Sequence, residues 1–274
     1  MATIAVNGVR LNVQRAGEGL PLVLLHGFTG SIATWRSHLD MLAGQFSIVA
    51  VDLPGHGASD APDSARCRME QCVADLLDLL DRLEISRAAL FGYSMGGRVA
   101  LNLALAVPER VRALILESAS PGIADPDERL ARCRNDDALA AMIEREGIEA
   151  FVDYWERLPL FASQERLPSS VRSKLRAQRL SSNPAGLANS LRGAGAGMQE
   201  PLWGRLSDIR QPTLLITGEL DRKPCELGRL MEERMPAAHL VVVPNAGHAV
   251  HLEQPTVFEE CVVGRVTKET QLCL

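Results

Sequence analysis

Residues 92–96 read Gly92-Tyr93-Ser94-Met95-Gly96, and the segments on either side limit what this chain can fold into. An apolar run at 88–91 leads into the pentapeptide, and a helical pattern at 97–107 leads out of it. A strand that turns this sharply into a helix leaves no room for flanking side chains, which accounts for the glycines on both sides of Ser94. The serine is then held above the carboxyl edge of a sheet, at a helix N-terminus whose free N–H groups and dipole favour developing negative charge. This context selects a sheet of parallel strands covered by helices, and it singles out Ser94 as a reactive group.

The rest of the chain alternates accordingly. Residues 3–6 and 9–13 flank Asn7-Gly8, a dipeptide suited to a tight type I′ hairpin turn. Apolar strands are then expected at 21–25, 46–51, 87–91, 111–116, 212–217 and 239–243. Between the second and third of these, Val73, Leu76, Leu77, Leu80 and Leu83 fall at helical spacing. Near-continuous apolar strands separated by helices imply a mostly parallel sheet covered on both faces. The rhythm breaks between about 120 and 205, where helical patterns at 126–134, 137–145, 148–157, 168–180 and 184–192 follow one another. The expected organisation is an α/β core formed by 1–118 and 206–274, with a helical lid inserted at 119–205. Residues 267–274 read equally as a helix end or a tail.

A serine hydroxyl needs a neighbour to take its proton. His248 lies in Asn245-Ala246-Gly247-His248, directly after the strand at 239–243, and Asp221 lies in Gly218-Glu219-Leu220-Asp221, directly after the strand at 212–217. Both loops open at carboxyl ends of strands, where ligands gather in open α/β sheets. Asp221 would hold the imidazole in one tautomer and stabilise the imidazolium. Glu219 and His251 are rivals for these two roles. His239 is expected to open a strand, His38 to be structural or solvent-facing, and His26 and His56 to brace loops. The segment His26-Gly27-Phe28-Thr29-Gly30 follows the strand at 21–25, so the backbone N–H groups of Phe28 and Met95 are the candidate oxyanion donors.

Composition excludes several function classes. Aromatic residues are 4% of the chain, the net charge is −5, and no Lys/Arg-rich run is present, which argues against nucleic acid as a partner. No apolar run approaches a membrane span. The opening Met1-Ala2-Thr3-Ile4-Ala5-Val6 lacks the layout of a signal peptide, so a cytoplasmic location is expected. The six cysteines, at 67, 72, 133, 225, 261 and 273, are scattered and read as free thiols. There is no metal-ligand cluster and no G-x-G-x-x-G phosphate loop, so no metal and no cofactor are implied. One sequence identifies no exposed interface and sets no oligomeric state.

These motifs resemble the α/β-hydrolase superfamily over essentially the whole chain, and the resemblance implies an eight-stranded, mostly parallel sheet. That superfamily hosts many chemistries, so fold alone leaves function open. A narrower resemblance lies in Leu25-His26-Gly27-Phe28-Thr29-Gly30, Val51-Asp52-Leu53-Pro54-Gly55-His56-Gly57 and Gly92-Tyr93-Ser94-Met95-Gly96-Gly97-Arg98. These, with Glu128-Arg129-Leu130-Ala131-Arg132, Tyr154-Trp155, Pro159-Leu160-Phe161-Ala162-Ser163 and Arg179-Leu180-Ser181-Ser182-Asn183, are similar to the menaquinone-pathway 2-succinyl-6-hydroxy-2,4-cyclohexadiene-1-carboxylate synthases. The resemblance implies a lyase that expels pyruvate from 2-succinyl-5-enolpyruvyl-6-hydroxy-3-cyclohexene-1-carboxylate, with Ser94 and His248 acting as a base.

That substrate is a small-molecule tricarboxylate, and arginines are its natural partners. Arg98 stands one helical turn beyond Ser94, on the same face, and a guanidinium fork suits a carboxylate. Arg132 and Arg179 fall in the family-like lid motifs. Trp155 and Tyr93 are placed to wall the ring, and Lys223 to steer anions. Two other readings stay open: a serine hydrolase acting on an anionic ester or a C–C bond, and a non-catalytic ligand-binding scaffold.

Overall fold

The computed structural model describes the backbone of residues 1–271 and side chains through residue 264. Eight strands form one sheet: β1 (Ala2–Val6), β2 (Val9–Ala16), β3 (Leu20–Leu25), β4 (Phe46–Val51), β5 (Ala88–Tyr93), β6 (Val111–Glu117), β7 (Thr213–Gly218) and β8 (Ala238–Val243). Their spatial order is β1-β2-β4-β3-β5-β6-β7-β8. The first two strands pair antiparallel, and β2 joins β4 antiparallel; the pairs from β4 through β8 are parallel. Asn7 and Gly8 carry φ of 42° and 85°, the pair of positive values a type I′ turn needs.

Among the described residues, nine α-helices connect and cover the strands: α1 (Leu39–Ala43), α2 (Met69–Arg82), α3 (Met95–Ala106), α4 (Pro126–Trp155), α5 (Ser169–Leu180), α6 (Pro184–Ala194), α7 (Arg222–Arg234), α8 (Val250–Glu253) and α9 (Pro255–Gln271). One face of the sheet packs on α2, α3 and α7, through Leu76, Leu79, Val99, Leu103 and Met231 among others. The other packs on residues around α1 and α9, through Trp35, Leu42, Phe258 and Val262. Both faces of the central strands are therefore dry, which is why these strands read as unbroken apolar runs.

The interval between β6 and β7 is filled by helices, and these carry a small core of their own, including Ile143, Phe151, Val152, Leu187 and Leu191. Two segments expected as separate helices, 126–134 and 137–145, are one. Asn135-Asp136 looks like a break, but Asp136 is buried and receives Arg132 from one turn earlier, so the helix continues through it. The true bend comes at Gly147, whose φ of 85° and ψ of 178° only glycine adopts cheaply. The segment Pro159–Arg166 forms 3₁₀ turns, and α7 was not foreseen as a helix; its buried stripe is narrow, Pro224, Cys225, Gly228 and Met231. Cys67, Cys72, Cys133, Cys225 and Cys261 are free thiols, while Cys273 and the rest of 272–274 lie outside the described residues.

Candidate active site

The sharp turn after β5 puts Ser94 at φ 50° and ψ −105°, a left-handed conformation for a non-glycine residue. Such a backbone costs about 1–3 kcal/mol and persists only where its surroundings enforce it. Here the Ser94 N–H donates to Glu117 O at 2.8 Å and its carbonyl accepts from Arg98 N–H at 3.2 Å. A side chain at Gly96 would collide with the backbone of Leu25, and one at Gly92 with the backbone of Gly96 and Gly97. The glycines are thus required by close approach of β3, β5 and α3.

His248 leaves the loop after β8 with Nε2 at 3.0 Å from Ser94 Oγ, and Nδ1 at 2.6 Å from Asp221 Oδ2. Asp221 precedes α7, directly after β7. A carboxylate accepts only, so the Nδ1–H donates to Asp221 and the lone pair on Nε2 faces the serine hydroxyl. The side chains of His248 and Asp221 are 10% and 12% exposed, which keeps their attraction in a low-dielectric setting.

The remaining histidines are engaged elsewhere. His251 in α8 donates its Nδ1–H to Glu117 at 2.9 Å, and both side chains are fully buried. His38, also buried, bonds Glu259 at 2.8 Å and the His251 carbonyl at 3.0 Å. His239, the second residue of β8, lies half-exposed near Glu232. His26 donates to Gly27 O at 2.8 Å and accepts the Leu53 N–H at 3.0 Å, bracing two loops. Burial pushes the His26 imidazole down, and burial with the neighbouring His26 pushes His56 down to about 3, so both rings stay neutral. Glu219 accepts the Asn245 N–H at 3.2 Å rather than the His248 ring.

Above Ser94 lies a cavity of about 470 Å³, in the range that encloses small molecules. Its apolar walls include Phe28, Tyr93 and Met95 from the core and Trp155, Leu158 and Phe161 from the helical interval. Met95 opens α3, so its N–H is among the amides a helix leaves without an internal acceptor. Arg98, Arg132 and Lys223 bring cations to the same cavity, with Asp136 among them. Among the described residues, no group of three or more His, Cys, Asp or Glu side chains is placed to hold a metal ion.

A family model described as the alpha/beta hydrolase family matches residues 22–260. The chain belongs to the alpha/beta hydrolase family. Within it, the chain is 44% identical over 259 residues to a putative 2-succinyl-6-hydroxy-2,4-cyclohexadiene-1-carboxylate synthase of Bacillus subtilis (strain 168), covering 93% of this chain and 94% of that protein. It is 34% identical over 250 residues to the 2-succinyl-6-hydroxy-2,4-cyclohexadiene-1-carboxylate synthase of Enterobacter sp. (strain 638), covering 90% and 93%. The solved structure of MenH from S. aureus superposes with a TM-score of 0.91 at 35% identity, over 95% of this chain and 98% of that one.

The polar residues of this alpha/beta hydrolase cavity differ in how freely they present themselves. Arg98 is buried. It donates to Ala194 O at 2.7 Å, Gly195 O at 3.4 Å and Gln199 Oε1 at 3.3 Å, so it ties α3 to the end of α6. Burial, reinforced by Arg132, pushes its guanidinium down to about 10, which leaves it cationic at neutral pH. Arg132 uses Nε on Asp136 at 2.8 Å, which leaves the other edge of its fork for a ligand. Lys223 lines the cavity from the first turn of α7. Trp155 packs edge-on to Phe28 at 5.3 Å, and its buried Nε1 has no acceptor among the described residues.

Arg179, expected to hold a substrate carboxylate, lines a neighbouring cavity of about 410 Å³. Its guanidinium sits 4.9 Å above the Phe161 ring and donates to Glu156 at 3.1 Å and Gln164 at 3.2 Å. Phe161 lines both cavities, and the charge of Arg179 reaches the Tyr93 phenol in the Ser94 chamber. Sequence reasoning overlooked Asp136, Glu117 and Glu253. Asp136 left a signal, its i,i+4 spacing from Arg132. Glu117 and Glu253 left none, because their partners are backbone amides and a histidine brought together by the sheet.

Proposed function

We propose that this protein is a lyase that eliminates pyruvate from 2-succinyl-5-enolpyruvyl-6-hydroxy-3-cyclohexene-1-carboxylate, leaving 2-succinyl-6-hydroxy-2,4-cyclohexadiene-1-carboxylate. The observation that carries this reading is the Ser94–His248 pair beneath a cavity furnished with Arg98, Arg132 and Lys223, which suits a polyanion better than a lipid-like ester. The 44% identical Bacillus relative supports the same assignment.

In this mechanism Asp221 holds His248 with its Nε2 lone pair facing Ser94. The pair removes a ring proton from the substrate. The electrons of the broken C–H bond spread into the conjugated succinyl carbonyl. They return to form the new ring double bond as the C–O bond to the enolpyruvyl group breaks. The leaving enolate takes a proton and becomes pyruvate. The N–H groups of Phe28 and Met95 stabilise the transient oxyanion, a contribution of roughly 10²–10³ in rate for such a donor. No water is added and no acyl-enzyme forms. Arg98 and Arg132 hold substrate carboxylates, Lys223 draws the anion in, and Tyr93 and Trp155 wall the ring. Residues 119–205 serve as the lid over the core formed by 1–118 and 206–274. A cytoplasmic biosynthetic role fits this chemistry; no described helix is long and apolar enough to cross a membrane.

The competing reading is a serine hydrolase using the same three residues. Offering p-nitrophenyl acetate and the enolpyruvyl substrate side by side separates the two. The proposal expects fast pyruvate release and slow ester turnover; brisk ester turnover without pyruvate would reverse the assignment.

A further inference from the structure

The loop that carries the base, residues 245–251, has no strand or long helix to hold it, and its amides are taken up by carboxylates from other segments. Glu219 accepts the Asn245 N–H at 3.2 Å. Glu117, at the end of β6, accepts the His251 N–H at 3.1 Å. Between these, Glu253 of α8 accepts the Gly247 N–H on Oε2 at 2.8 Å and the Ala249 N–H on Oε1 at 3.4 Å. Those are the two amides that flank His248.

We propose that Glu253 is a positioning residue for His248, holding both flanking amides so that the imidazole stays between Asp221 and Ser94, and supplying a fixed negative charge that favours the imidazolium formed during proton transfer. Two amides that converge on one side chain need two acceptor oxygens, and an ionised carboxylate provides them with charge-assisted strength. A side chain at Gly247 would collide with Ser163 and crowd Glu253 Oε1, so the carboxylate lies close beside the loop there. The charge also reaches the elbow. Burial foremost, then Glu117, with Glu253 and Asp221 adding and Arg179 opposing, pushes the Tyr93 phenol well up, and the Tyr93 ring lies 5.5 Å from that of His248.

The groups facing His248 and its loop come from every side. Asp221 and Glu219 follow β7, Lys223 lies in the first turn of α7, Tyr93 ends β5 with Ser94 directly after it, and Glu117 ends β6. His251 and Glu253 lie on α8. From the lid, Phe161 stands 6.3 Å from the imidazole with Arg179 on its other contact. Of these, Glu253 alone bonds both neighbours of His248.

The inference rests on His248 being the base, but not on the identity of the natural substrate, and the test exploits that difference. A fluorophosphonate reports the Ser94–His248 pair directly: Ser94 Oγ forms a bond to phosphorus, the P–F bond breaks, fluoride leaves, and His248 takes the hydroxyl proton. Labelling rates are measured against pH for wild type, Glu253→Ala and Glu253→Gln, with the folded fraction of each taken from its thermal transition. The proposal expects about 10²-fold slower labelling of Glu253→Ala, the scale on which a misplaced catalytic group loses rate. It also expects the acid limb of the profile to move to lower pH, because an anion that favoured the imidazolium is gone. Glu253→Gln, with one acceptor oxygen and no charge, shows the same displacement and a smaller rate loss. Folded variants that label like wild type with an unmoved acid limb would overturn the positioning role alone, even if their Tm fell. If Glu253→Ala does not fold, Glu253→Gln decides by its acid limb. A wild-type protein that the probe leaves unlabelled would overturn both this role and the assignment of the base.

Discussion

Replacing Arg98 with alanine tests two functions of one side chain. The guanidinium is buried and donates to Ala194 O at 2.7 Å, with longer bonds to Gly195 O at 3.4 Å and Gln199 Oε1 at 3.3 Å. Only the shortest counts at full strength, and a bond from a charged donor contributes about 1.5–3 kcal/mol. Leaving the Ala194 carbonyl and its neighbours without a donor brings the expected loss to about 3 kcal/mol. For a chain of this size that lowers Tm by roughly 6–12 °C. In the proposed mechanism the same cation also holds a substrate carboxylate, and losing one charge-assisted contact is expected to lower kcat/KM by roughly ten- to a hundredfold. Because the group sits at about 10, it is protonated throughout the neutral range, so the defect persists from pH 6 to 8. Scanning fluorimetry and a pyruvate-coupled assay read the two effects separately, and Arg98→Lys, which keeps the charge but not the fork, falls between. A variant with wild-type Tm and wild-type kcat/KM would refute the reasoning. A lowered Tm with unchanged kinetics would leave Arg98 as a fastening between α3 and α6 and remove it from the substrate site.

Other outcomes follow from the same geometry. Arg132→Ala is expected to lower kcat/KM by roughly ten- to a hundredfold, whereas Arg179→Ala, whose partners are Glu156, Gln164 and the Phe161 ring, is expected to cost less; equal losses would contradict the placement of Arg179 in the adjoining cavity. Gly96→Ala forces the elbow away from Leu25 and is expected to slow turnover by about 10²-fold or more, checked with kcat and Tm together; a fully active variant would mean that the elbow yields. His56, held down at about 3 by burial and by His26, takes up a proton only on unfolding as pH falls below its ordinary value, so the stability it lends is complete above about pH 6.5 and is lost towards pH 3. Urea midpoints should decline through that window by up to roughly 1.4 kcal/mol per pH unit from this group, and His56→Gln should flatten the decline; an unchanged slope would count against a neutral buried imidazole.

The parts of this molecule that were legible in its sequence are those written locally. The elbow needs only an apolar run, two spaced glycines and a helix start. The hairpin needs only Asn7-Gly8, and the strands declare themselves because helices cover both faces of the sheet. Asp221 and His248 lie far from Ser94 in the chain, yet each directly follows a strand, and parallel neighbours bring those ends to one edge. What escaped depends on packing. The helix α7 hides behind a four-residue buried stripe, and the Asn135-Asp136 pair looks like a break until Asp136 is seen buried against Arg132. Arg179 is a lid cation in sequence, and its seat over the ring of Phe161 is decided by packing. The carboxylates of Glu117 and Glu253 bond to backbone amides, which no side-chain pattern announces.

The central claim is that Ser94, paired with His248 at 3.0 Å, drives an elimination rather than a hydrolysis. Pyruvate release from 2-succinyl-5-enolpyruvyl-6-hydroxy-3-cyclohexene-1-carboxylate, followed with lactate dehydrogenase for wild type and Ser94→Ala, tests it most directly. The account predicts one pyruvate per substrate consumed by wild type and near-complete loss in Ser94→Ala with an unaltered Tm. Substrate left intact by wild type, or pyruvate released equally well by Ser94→Ala, would contradict it.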